Sequence, residues 1–155
     1  AMKSSLFLVL LLLIFAAGCG FVTMENEPLP ELDYEVFVGQ VQPILGYGCG
    51  NPSCHGNPQR PFSVYAPQAY RLKAADIYSP APLTEQELRE NYDRARSFAV
   101  DQGRGPLLLT KPLAENVGGV RHLEGGDIFY SIEDRDYRIL EAWIYGEGGN
   151  ADGSK

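Results

Sequence analysis

The chain is poor in the residues that most site chemistry draws on. Its 155 residues include three cysteines, two histidines, two methionines and one tryptophan. A dense disulfide framework or a multi-metal centre is excluded by supply alone. Positive charge is scarce as well, with 13 Lys and Arg against 20 Asp and Glu and a net charge of −7. A nucleic-acid binder needs a cationic face to displace counterions from phosphates, so no nucleic-acid partner is expected. The longest apolar run, Leu6 to Ala17, has twelve residues, short of the roughly 20 that span a bilayer. Strand-like alternation is almost missing, with Phe62 to Tyr65 the one weak candidate. Turn formers are plentiful, at 17 Gly and 11 Pro, and they predict a loop-rich fold with short helices.

Lys3, the apolar run and the small residues Gly18-Cys19 read as a secretory signal over residues 1–18. The tetrad Ala16-Ala17-Gly18-Cys19 resembles a bacterial lipobox, in which the cysteine is acylated and the chain is cut before it. Cys19 is thus the expected lipidation site, and a plain signal peptide with a stray thiol is the other reading. Residues 19–31 read as a flexible tether, 32–146 as the folded domain and 147–155 as a disordered tail. The expected location is the bacterial cell envelope, lipid-anchored, facing the periplasm or on the outer membrane.

Three main helices are expected. From about Leu32 to Tyr47, residues Tyr34, Phe37, Val38, Val41, Ile44 and Leu45 share one face, and Pro43 should bend or shorten the run. A second helix starts at Thr84, whose Glu87 three residues on makes a capping box. Leu88, Tyr92, Ala95 and Ala99 form its inner stripe. A third starts at Ser131, buries Tyr137, Leu140, Trp143 and Ile144, and is capped by Gly146. A short helical turn is expected at Pro106 to Leu109. The fold class is mostly α, with long loops from Gly56 to Leu83 and Lys111 to Tyr130. Loops of that length usually wrap something or carry function.

Two of the three cysteines fall in Gly48-Cys49-Gly50-Asn51-Pro52-Ser53-Cys54-His55-Gly56. Covalent haem attachment uses Cys-x-x-Cys-His, where each thiol adds to a vinyl group and the adjacent His binds iron. Here four residues intervene, all turn formers, so the loop can bulge. Two other readings stay open. One is a Cys49–Cys54 disulfide in an oxidising compartment, and the other is a zinc site of Cys49, Cys54, His55 and His122. If iron is held, its sixth ligand must come from a short supply. Met24 lies in the tether, whereas His122 sits in the Gly-rich stretch Gly118 to Gly126. Tyr47, Tyr65, Leu108, Leu109 and Trp143 are candidates for packing against a porphyrin or for ordinary core, and Arg121 and Lys111 are candidates for its propionates.

Val41-Gln42-Pro43-Ile44-Leu45 followed by Cys49, Cys54, His55 and Gly56 resembles the start of a class I-like cytochrome c domain. Leu107 to Leu113, Gly118 to Gly126 and Asp136 to Ile144 are similar to cytochrome c-like domains of exported planctomycete and myxobacterial proteins. The resemblance covers about Leu32 to Gly146. It implies a small cytochrome c-like fold around one covalent haem c, held by Cys49 and Cys54. His55 and His122 would be axial ligands to the iron, and a closing helix would cross the first. The chain departs from the common pattern in its Cys-x4-Cys spacing and in lacking a Met between the second helix and the last.

The resulting expectation is a membrane-anchored monohaem c-type cytochrome that carries electrons, not an enzyme. Its redox partner proteins would present a basic docking face to the acidic surface. Two other classes stay open. One is a cofactor-free binding or scaffold lipoprotein with a Cys49–Cys54 disulfide. The other is an enzyme with an open iron site for peroxide or a diatomic gas.

Overall fold

A computed structural model describes residues 29–122 and 126–146. Those residues are mostly helical, with no strand among them beyond two isolated bridges, Asp101 with Pro106 and Leu113 with Phe129. The signal, Cys19, Met24 and the tail lie outside the described residues.

The first helix, α1, comprises Tyr34–Val36, Phe37–Val41, Gln42–Ile44 and Leu45–Cys49 in unbroken succession. Asp33 caps its start by accepting the Val36 N–H at 2.9 Å. Pro43 does not break it. A proline inside a helix has no N–H to give and its ring crowds the carbonyl four residues back. The helix absorbs this by widening, and Phe37–Val41 and Leu45–Cys49 have π geometry. Gln42 reaches back to Phe37 O, and Gly50 to Leu45 O at 2.9 Å. Such widened turns are uncommon and tend to sit at functional sites.

Helix α2, Glu85–Ala99, has the expected capping box. Thr84 accepts from Glu87 N at 3.3 Å, and the Glu87 carboxylate accepts from Thr84 N at 2.8 Å. Helix α3 is the short turn Leu107–Thr110. Helix α4, Arg135–Tyr145, begins four residues later than the sequence suggested. Its cap is Asp134, which accepts from Asp136 N and Tyr137 N, whereas Ser131 Oγ takes the Glu133 N–H in a turn before the helix. Gly146, at φ 83°, ends it as expected.

The four helices meet in one core of Phe37, Val41, Ile44, Leu45, Tyr92, Ala95, Leu108, Leu109, Tyr137, Leu140 and Trp143, with Phe62, Val64, Leu113 and Phe129 supplied by loops. At its centre Phe37 lies 5.5 Å from Trp143 and 5.4 Å from Tyr92, centroid to centroid. Trp143 Nε1 donates to Asp33 O at 2.8 Å, which fixes α4 across the start of α1. Leu29 and Pro30, at the end of the expected tether, are held here. Their carbonyls accept from Arg96 at 3.0 and 2.6 Å.

Two buried polar clusters organise the long loop 56–83. Arg71 and Glu87, side chains each 2% exposed, form a two-pronged pair at 2.8 and 2.9 Å. Arg71 also donates to Ala81 O and Pro82 O at 3.0 Å, and Glu87 accepts from Leu72 N at 2.9 Å. In the second cluster, Asn91 accepts from Tyr65 N at 2.9 Å and donates to Tyr65 O at 2.8 Å and Gln42 Oε1 at 2.9 Å. Every polar group thus finds a partner, as burial demands. The stretch Phe62–Tyr65, weakly strand-like in sequence, forms no strand: Phe62 and Val64 pair with His55, and Ser63 and Tyr65 with side chains of α1 and α2.

Candidate functional site

The last widened turn of α1 delivers Cys49, and the chain then folds back tightly. Asn51 is the hub of the loop. Its carbonyl accepts from Cys54 N at 2.8 Å and Gly56 N at 2.9 Å, while its side chain accepts from Ser53 N at 2.9 Å. His55 N donates to Cys49 O at 3.1 Å. The four intervening residues are looped out, with Asn51, Pro52 and Ser53 exposed, and Cys49 and His55 remain neighbours. Glycine is required at two points. A Cβ at Gly50 would stand 2.5 Å from Gly46 O, and one at Gly56 would stand 2.2 Å from Gly50 O.

Cys49 and Cys54 are both free thiols, half-buried. Burial against the core, reinforced by the Cys54 thiol, pushes the Cys49 thiol up to about 12. Cys49 is therefore protonated at neutral pH.

His55 is fixed on both sides. Its carbonyl accepts from Val64 N at 2.7 Å, and its Nδ1 lies 2.7 Å from Phe62 O. The Phe62 ring stands edge-on at 5.1 Å. Burial pushes the imidazole pKa down, with the charges of His122 and Arg60 acting the same way and the Phe62 carbonyl opposing them. A carbonyl only accepts, so Nδ1 carries the proton and Nε2 is left with its lone pair.

His122 repeats the arrangement from the other side, with Nδ1 3.0 Å from Gly126 O. Its approach is built by Val120 N donating to Thr110 O at 2.9 Å and Lys111 Nζ to Arg121 O at 2.8 Å. Gly119 is needed because a Cβ there would collide with Leu113 O at 1.8 Å.

The two imidazoles face each other. Their centroids are 6.0 Å apart and their planes 15° from parallel. Among the described residues no hydrogen bond engages Nε2 of either ring. A metal bound between two ring nitrogens through bonds of about 2 Å holds the centroids about 6 Å apart. Metal-ligating histidines also characteristically donate their other ring N–H to a carbonyl or carboxylate, which fixes tautomer and orientation. The 6.0 Å separation and the two Nδ1–carbonyl contacts are compatible with such an arrangement. No family profile, curated protein or solved structure matches the chain. The site's chemistry therefore rests on its own groups: two imidazoles held as a near-parallel pair, with two thiols on the loop that carries one of them.

Two imidazoles and two thiols are the ligand types that haem attachment uses. Among the described residues no three of His, Cys, Asp or Glu come together as a metal-holding group. Of the candidate packing residues, Tyr65, Leu108, Leu109 and Trp143 are core, while Tyr47 is 68% exposed with its hydroxyl on Asp136. Arg121 is exposed and Lys111 is half-buried. Sequence reading did not find the carbonyls of Phe62 and Gly126 as partners of the histidines. Neither residue type announces a backbone acceptor, and only Asn51, a habitual turn former, carried a local signal.

Proposed function

We propose that this chain is a monohaem c-type cytochrome that carries electrons in the bacterial cell envelope, with a cytochrome c-like fold around the cofactor. The observation that carries the reading is the His55–His122 pair, 6.0 Å apart with each Nδ1 tied to a backbone carbonyl. Cys49 and Cys54 would hold haem c through thioethers, and His55 and His122 would be its axial ligands. When bound, the haem supplies a one-electron couple. The protein's part is to keep both imidazoles oriented and in place, so that a change of charge at the metal needs little rearrangement. The Nδ1 hydrogen bonds raise ligand basicity and so favour the oxidised state. The free thiols favour this reading over a scaffold closed by a Cys49–Cys54 disulfide. The facing His122 disfavours an enzyme with an open coordination position.

The test is expression with haem-attachment machinery, followed by visible spectroscopy and intact mass. Sharp, low-spin α and β bands on reduction, with one porphyrin added to the mass, are expected. A colourless protein of unmodified mass refutes the proposal. No described helix is long and apolar enough to cross a membrane. Lipidation of Cys19 is the proposed anchor, and Cys19→Ser should move the protein from the membrane to the soluble fraction and remove the lipid mass.

A further inference from the structure

Most large apolar side chains are buried, but three exposed ones lie on segments that meet next to the ligand-bearing loops. Tyr47, Tyr130 and Ile132 are 68%, 72% and 42% exposed. Two contacts bring their segments together. The Tyr47 hydroxyl meets the Asp136 carboxylate, and a Cβ on Gly48 would lie 3.9 Å from Ile128 Cγ2. Tyr47 precedes Cys49 by two residues, and Ile128 follows by two the Gly126 carbonyl that holds His122. The patch therefore borders both arms of the site. Its surroundings are acidic, with Asp127, Glu133, Asp134 and Asp136 against the single cation Arg135 between residues 126 and 137. An apolar centre with a charged rim is the anatomy of a transient protein interface.

We infer that the Tyr47–Tyr130–Ile132 patch is the docking face for a redox protein whose own surface has an apolar centre ringed by Lys and Arg. The inference rests on the electron-carrier reading and assigns that carrier a point of contact. The acidic rim fits a basic protein and repels another copy of this acidic chain. The apolar centre gives a short-lived complex its dry contact close to the ligand-bearing loops.

The test uses the haem-loaded protein and, as probe, a small basic cytochrome whose reduction is followed by stopped flow, with a neutral hydroquinone–quinone couple as the control reactant. Glu133→Lys should slow electron exchange with the basic probe roughly 3- to 10-fold at low salt and flatten its salt dependence, because rim charges act mainly on encounter. Tyr130→Ser with Ile132→Ser should slow it at high salt too. Exchange with the neutral couple and the visible spectrum should be unchanged in both variants. A normally coloured protein whose variants exchange with the basic probe at the parental rate overturns this inference and leaves the cytochrome reading standing. A dimer that the Tyr130/Ile132 variant dissociates also overturns it, by assigning the patch to a second copy. A colourless parent protein removes both.

Discussion

Neutralising Glu87 gives a stability test of how the long loop is held, and the structure sets its size. Burial pushes the Glu87 carboxyl up, but the Arg71 guanidinium and donors from Thr84 and Leu72 outweigh it and hold the pKa at about 2, against an ordinary 4.5. That difference is worth about 3 kcal/mol. The folded-state value is depressed. The stabilisation is therefore complete above about 4.5, declines as pH falls towards 2, and is nearly gone below that. Glu87→Gln keeps the shape, removes the charge and leaves Arg71 buried without a counter-charge. It should cost about 3 kcal/mol at pH 7. At pH 2.5 the parent has itself lost most of the benefit, and the gap between the two proteins should shrink to about 1 kcal/mol. Urea unfolding followed by far-UV circular dichroism at both pH values measures the gap, and other titrating groups cancel between the proteins. A gap of the same size at pH 7 and pH 2.5, or none at pH 7, refutes the reasoning.

Three other outcomes are expected. His122→Met should raise the midpoint potential of the haem-loaded protein, because methionine ligation favours the reduced state, and a redox titration showing no rise counts against His122 as a ligand. Asn91→Ala removes the acceptor of Tyr65 N, one of the two side-chain donors to Tyr65 O, and the donor to Gln42 Oε1. It should cost about 2 to 4 kcal/mol by chemical denaturation, since buried polar groups are left unpaired. Gly56→Ala places a methyl 2.2 Å from Gly50 O, so haem yield per chain and melting temperature should both fall. The same substitution at Gly39, where nothing lies within 4 Å, should leave haem yield alone.

The parts legible in the sequence were those with local causes. Thr84 with Glu87 and Gly146 after an amphipathic run each act over a few residues, and each appears as expected. Pro43 was expected to bend or shorten the first helix, whereas the run continues to Cys49 with widened turns on either side; a sequence does not tell whether a helix breaks or widens around a proline, which depends on how Phe37, Ile44 and Leu45 pack. Glu87 looked like a capping residue alone, and its pairing with Arg71 sixteen residues away had no local mark. Asn91 and Gln42 lie 49 residues apart, and nothing local marks their pairing. The facing of His55 and His122 rested on scarcity of alternatives, whereas the carbonyls that orient them belong to Phe62 and Gly126 and carry no side-chain signature.

The clasp of Arg96 on Leu29 and Pro30 bears on how the domain meets mechanical load. A pull from upstream arrives first at those two carbonyls, then at Leu32 O, which accepts from the Tyr92 hydroxyl, and at Asp33 O, which accepts from Trp143. These bonds attach the entering chain to α2 and α4 before α1 begins. Force is thereby shared among several side chains of two other helices and sheared in parallel, and it does not peel α1 away one turn at a time. The loop bearing Cys49, Cys54 and His55 lies at the far end of α1 from that entry, insulated from tension applied there.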